Sequence, residues 1–165
     1  LDVSGIAEAS PALGGPAVRA WGGEARVRIG PDRIAGIVGV GYLPTFDFGV
    51  GNFTGSILRV PATAGVRARV VKRYLNLDAD LALSAAFERY DGLSPHAPSA
   101  ATRVTPGIEL GVLVSPHSLF GLAPFASMRC AWFPVTQELA TAPQGNLGNT
   151  PALWVGAELG MSLEL

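Results

Sequence analysis

From Leu153 to Leu165 the chain alternates with a period of two. Leu153, Val155, Ala157, Leu159, Met161, Leu163 and Leu165 fall on one side, and Trp154, Gly156, Glu158, Gly160, Ser162 and Glu164 on the other. Successive side chains of a strand point to opposite faces, so this stretch reads as a strand with one greasy and one polar face. One amphipathic strand constrains little. The same alternation recurs along the chain in eight segments, which predicts an all-β fold.

The first strand is expected from about Asp2 to Leu13, the second from about Ala17 to Ile29, the third from Ile34 to Leu43 and the fourth from Ser56 to Val71. The fifth follows Leu77 to Phe87, the sixth Val104 to Val114, the seventh Phe120 to Trp132, and the eighth is the C-terminal segment. Ile37 breaks the alternation of the third. Connections after the second, fourth and sixth strands are short: Gly30-Pro31-Asp32-Arg33, residues 72–75, and Pro116-His117-Ser118. Those after the third, fifth and seventh (about 44–55, 91–100 and 134–151) are long and rich in Gly, Pro, Ser and Asn. The connection at Gly14-Gly15-Pro16 is short where the scheme wants a long one. An even number of strands with short turns at one end and long loops at the other predicts an eight-stranded antiparallel up-and-down transmembrane β-barrel, with both termini periplasmic. Pro61, Pro106 and Pro124 fall inside predicted strands and each lacks a ladder donor, so bulges or irregular pairing are expected there.

Composition narrows the alternatives. The 165 residues suit a single domain, 1–165, with 48% hydrophobic residues and a net charge of −1. Charged residues are only 15%, against about 25% in an ordinary soluble protein. No basic stretch marks a nucleic-acid footprint. One cysteine and two histidines exclude an internal disulfide and a structural zinc site. With 21 Gly and 13 Pro, long helices are disfavoured, and the uncharged stretch from Leu110 to Met128 is interrupted by Ser115-Pro116-His117-Ser118, so no membrane helix is expected there. Leu1-Asp2-Val3-Ser4 carries no charged leader or apolar signal core. The chain therefore reads as mature or excised, either the C-terminal domain of a longer protein or one subunit of a larger envelope assembly.

Fifteen of the charges share one face, and the other ten fall in turns, loops or strand ends. Glu24, Arg26, Arg28, Arg59, Arg67, Arg69, Asp78, Asp80, Glu109, Arg129 and Glu158, together with Glu8, Glu88, Arg103 and Glu164, have polar parity, and none interrupts the greasy band. Seven arginines nearly balance eight acids, which suits a closed lumen in which each ion finds a partner. An antiparallel register centred near Arg73 and Tyr74 would set Arg69 opposite Asp78 and Arg67 opposite Asp80. Trp21, Tyr42, Phe87, Trp132 and Trp154 collect at the strand ends nearest the long loops and are expected to form an aromatic girdle at headgroup level.

Taken together, these residues make the chain resemble the eight-stranded outer-membrane β-barrels of Gram-negative bacteria, in particular the OmpA-like transmembrane domain and its small relatives. The most specific match is Glu158-Leu159-Gly160-Met161-Ser162-Leu163-Glu164-Leu165, which is similar to that family's assembly signal, with Gly160, Leu163 and Leu165 at its key places. The family usually closes on an aromatic residue, where this chain has Leu165. The resemblance implies insertion by the barrel-assembly machinery, contact with outer-membrane lipid and with other envelope proteins, and a location in the bacterial outer membrane.

Some small barrels of this class modify lipids, which requires a nucleophile, a base and an orienting acid. His96, in a long loop, and His117, beside Ser118 in a short turn, are the available bases. Asp78 and Asp80 share a face but have arginine neighbours, Cys130 reads as lipid-facing, and Gly39-Val40-Gly41 has no following helix to make a phosphate loop. The expectation is a non-catalytic anchor, structural or interaction module with no cofactor, metal or catalytic residue. A lipid-modifying enzyme and a small pore are the alternatives.

Overall fold

The computed structural model describes residues 1–10, 18–50, 53–91, 101–136, 138–141 and 145–163. Its strands are β1 (Asp2–Ser10), β2 (Val18–Ile29), β3 (Ile34–Val50), β4 (Phe53–Lys72), β5 (Leu75–Asp91), β6 (Ala101–Pro116), β7 (Leu122–Trp132), β8 (Glu138–Thr141), β9 (Gly145–Asn149) and β10 (Leu153–Leu163). Eight of them close a barrel in the order β1-β10-β7-β6-β5-β4-β3-β2, while β8 and β9 pair with each other within the β7–β10 connection. Every neighbouring pair is antiparallel, including the closing pair β1–β10, where Ala7 faces Ala157. Closure leaves the barrel wall without an unpaired edge.

The period-two pattern sorts side chains between inside and outside, in the reverse of the soluble arrangement. Arg59 is 1% exposed and Asp78 2%, whereas Leu83 is 70% exposed and Val104 62%. Ile37, which breaks the alternation, has lumen parity and is buried.

The structure extends and corrects several strands. β3 and β4 continue through the segment expected as a loop, pairing as far as Val50 and Phe53, with a register shift between Leu43 and Phe46. The seventh strand begins at Leu122 and not at Phe120. Phe120 and Gly121 instead form a two-residue turn, both with positive φ (56° and 77°), closed by reciprocal backbone hydrogen bonds between Leu119 and Leu122. The first strand is described only to Ser10, and the remainder of its expected span lies outside the described residues.

The irregular pairing expected at the three prolines is present, not as bulges but as gaps; the second register shift of the barrel falls between Arg69 and Val71. Each proline instead sits where one of its two ladders lapses. Pro61 pairs with Ala86 of β5, while the β3 ladder steps from Val40–Ala62 to Leu43–Arg59 around it. Pro106 pairs with Ala85, but the β6–β7 ladder begins only at Ile108. Pro124 pairs with Met161, and the β6–β7 ladder ends at Ala126. A residue with no N–H is accommodated where no acceptor requires one.

Candidate functional site

The lumen is the chemically distinctive region, and strand parity builds it. Every strand of the wall sends alternate residues inward, and where a large side chain crosses the axis its neighbours are small. A Cβ on Gly39 would lie 2.6 Å from Cγ of Arg26, and one on Gly156 3.2 Å from Cγ of Arg129. Glycine at these positions makes room for the two central guanidiniums.

At the short-turn end, Arg69 grips Asp78 through Nε and Nη2 at 2.8 and 3.2 Å, and Arg67 grips Asp80 in the same two-pronged way at 2.7 and 2.8 Å. Both pairs lie directly across the β4–β5 ladder. The remaining nitrogen of Arg67 donates to Asp2 at 2.6 Å. At mid-barrel, Arg26 contacts Glu24, donates to Glu109 at 2.5 Å and reaches Asp80 at 3.3 Å. Arg129 contacts Glu24, donates to Glu8 at 2.6 Å and lies 3.0 Å from Glu158, which also accepts from the Ser127 hydroxyl at 2.8 Å. Toward the long connections, Arg59 contacts Glu8 and approaches Glu88 at 3.3 Å. Its guanidinium carbon stands 4.1 Å from the centroid of the Trp154 ring and 4.9 Å from that of Phe133, and Tyr90 donates to Glu88 at 2.6 Å. Trp154, Phe133 and Tyr90 join Leu43, Ile57 and Val18 in a buried apolar cap at this end. A void of about 20 Å³ between Arg67, Asp78 and Phe125 has room for roughly one water molecule.

Of the predicted lumen residues, Glu24, Arg26, Arg59, Arg67, Asp78, Asp80, Glu109, Arg129 and Glu158 are all buried, and Arg69 is held against Asp78. Arg28 stands apart at the turn end, 3.1 Å from Asp32. Asp2 and the cap residues Phe133 and Tyr90 are additions that the sequence reading does not contain. Their signal is parity, since Asp2 matches Ser4 and Glu8, and Phe133 matches Arg129.

The girdle assignment needs one correction. Trp21, Tyr42, Phe87 and Trp132 lie on the outer face, but Trp154 does not. It is 2% exposed, points into the lumen and covers Arg59. Strand alternation, which puts Leu153 and Val155 outside, overrides the tendency of tryptophan to sit at an interface.

Gly160 lies against β1, where a side chain would overlap backbone atoms of Val3 and Ser4. Leu163 pairs with Leu122, and Leu165 lies outside the described residues, as does His96. His117 is exposed in its turn with Nδ1 3.3 Å from the Tyr74 carbonyl oxygen, and it makes no ion pair among the described residues. Asp78 and Asp80 are engaged by arginines, and no group of metal-ligating side chains occurs among the described residues.

An ion-paired interior inside a wall of exposed Val, Leu, Ile, Trp and Met defines a membrane-spanning β-barrel. Such a band far exceeds the apolar patch of about a few hundred Å² that a soluble monomer tolerates. Solved outer-membrane barrels share the architecture. Neisserial surface protein A superposes with a TM-score of 0.68 at 9% identity, covering 99% of this chain and 95% of that one. A major outer membrane protein from Thermus thermophilus gives 0.63 at 15% identity, covering 98% of each chain. Ail, the attachment invasion locus protein of Yersinia pestis, in complex with the heparin analogue sucrose octasulfate, gives 0.62 at 12% identity, covering 98% of this chain and 94% of that one. No protein-family model and no curated protein matches the sequence.

Proposed function

We propose that the chain is a non-catalytic integral protein of the bacterial outer membrane, acting as an anchor and interaction module with its short turns and termini in the periplasm and its longer connections outside. The filled lumen carries this reading. Paired guanidiniums and carboxylates at mid-barrel, and the Arg59–Trp154–Phe133 cap, occupy the space that a solute path or an enclosed reaction site would need. What remains for interaction is the surface: the lipid-facing wall and the connections at both ends. Two of the similar structures, an attachment invasion protein and a neisserial surface protein, support a placement at the cell surface. The C-terminal segment containing Gly160, Leu163 and Leu165 would be presented to the barrel-assembly machinery during insertion.

Single cysteines placed in the 92–100 connection and at Ser118, in a chain carrying Cys130→Ala, test the orientation. A membrane-impermeant maleimide is expected to label the first in intact cells and the second only after the outer membrane is permeabilised. The opposite pattern would invert the topology. A change in lipid A mass that vanishes in His96→Gln or His117→Gln would overturn the non-catalytic reading.

A further inference from the structure

At the short-turn end the β2–β3 turn lies against the end of β4, where the Arg69 amide donates 2.8 Å to the Arg33 carbonyl. Between this turn and the end of β4 lies a cleft of about 360 Å³ lined by Asp32, Arg33, Arg69, Val70 and Lys72. Its charge is unbalanced. Arg69 is held by Asp78, and Asp32 takes Lys72 at 3.0 Å and Arg28 at 3.1 Å, so one carboxylate serves two cations. Arg33 is exposed and has no ion pair among the described residues. The Lys72 ammonium, helped by Arg69 and Arg28, holds the Asp32 carboxyl below its ordinary range, as a locally positive field should.

The cleft also lies at a headgroup level. Val70 on its wall and Ile34, which follows Arg33, are more than half exposed on the outer face at the margin of the apolar band, and Tyr74, two residues after Lys72, projects fully into the surroundings. Cationic groups next to exposed aliphatic side chains, with an exposed tyrosine in the following turn, match an anionic headgroup with its chains below.

We propose that this cleft binds the phosphate of an anionic phospholipid from the leaflet at the short-turn end, with Arg33 and Lys72 as its charged partners and the acyl chains lying along Ile34 and Val70. The site needs only the membrane-spanning barrel; it does not depend on which side of the membrane the turns face or on whether the protein is catalytic.

The test is lipid retention by the full chain in vesicles of mixed phosphatidylglycerol and phosphatidylcholine, read by native mass spectrometry after mild extraction. The wild-type barrel is expected to retain phosphatidylglycerol in preference to phosphatidylcholine. Arg33→Gln/Lys72→Gln is expected to lower that preference by about tenfold, whereas Arg89→Gln, at the opposite end, leaves it unchanged. Val70→Ser should weaken retention of the lipid without changing binding of inorganic phosphate. Equal preference in wild type and Arg33→Gln/Lys72→Gln would overturn the proposal, as would lipid retention unchanged in Val70→Ser, which would make the cleft a site for a free phosphate ion. Migration on an unboiled gel, followed in the same samples, separates these outcomes from failure to insert, which would overturn the membrane-spanning reading and the cleft with it.

Discussion

Arg129 touches Glu8, Glu24 and Glu158 at once, so its replacement leaves Glu8 to Arg59 alone, Glu24 to Arg26 alone, and Glu158 with only Arg26 at 3.8 Å. Transferring such a pair from water is costly and its net worth is small, but removing one partner leaves an excess of buried negative charge that the remaining arginines only partly neutralise. Arg129→Gln is expected to destabilise the folded barrel by about 3–5 kcal/mol, measured by urea unfolding in lipid vesicles with tryptophan fluorescence. Arg129→Gln/Glu24→Gln should cost less than the two single changes summed, because the second removes one of the excess buried negative charges. Additive losses would mean that the contacts are not coupled. At this scale the sequence is legible wherever sign and parity agree: Arg67 and Asp80 stand at equal distances from their turn and meet across it. It is less legible where residue type argues against parity. Chemistry groups Trp154 with the girdle, although Leu153 and Val155 on either side already commit the tryptophan to the lumen. Asp2 escapes because the first strand is rich in Gly, Ala and Ser and its end carries little pattern.

Strands approach closely where their facing residues are small, and this sets which glycines matter. A Cβ on Gly65 would overlap the Leu81 carbonyl oxygen and Ala82 on β5, whereas one on Gly5 meets only a carbonyl oxygen at 3.9 Å. Gly65→Ala is therefore expected to cost about 1–3 kcal/mol and Gly5→Ala to stay within about 0.5 kcal/mol in the same unfolding assay; equal effects would argue against close β4–β5 packing. Ladder continuity gives a second contrast. Pro106 lacks a β7 partner, so Pro106→Ala should change stability by no more than about 0.5 kcal/mol. Val112 is paired on both sides, with Ala79 and Met128, and Val112→Pro should cost about 3 kcal/mol or more, seen as loss of the fast-migrating form on an unboiled gel. The same logic explains the error in strand length at β3 and β4. The register shift between Leu43 and Phe46, which encloses Pro44, breaks the phase of the alternation, and the Gly-containing stretch beyond it reads as a loop although its backbone stays paired to Val50 and Phe53. Periodicity reports a strand only while the strand faces a boundary between two media.

For the molecule as a whole, the lumen is closed twice in series. The cap of Trp154, Phe133 and Arg59 lies toward the long connections, and the Arg26–Arg129 layer with its glutamates lies at mid-barrel. Two barriers in series make a single breach ineffective, so Trp154→Ala is expected to be as silent as wild type in planar-bilayer recordings. Opening both requires removing the central cations as well. In Trp154→Ala/Arg26→Ala/Arg129→Ala, the carboxylates Glu24, Glu109 and Glu158 would line a widened passage with their arginine partners gone, Glu8 alone keeping Arg59, and acidic rings select cations. Cation-selective current is expected from that variant, provided that an unboiled gel shows it folded. Stepwise current from wild type would show that the paired layer does not seal the barrel. Current from Trp154→Ala alone would place the barrier in the cap and leave the ion pairs with a purely structural role.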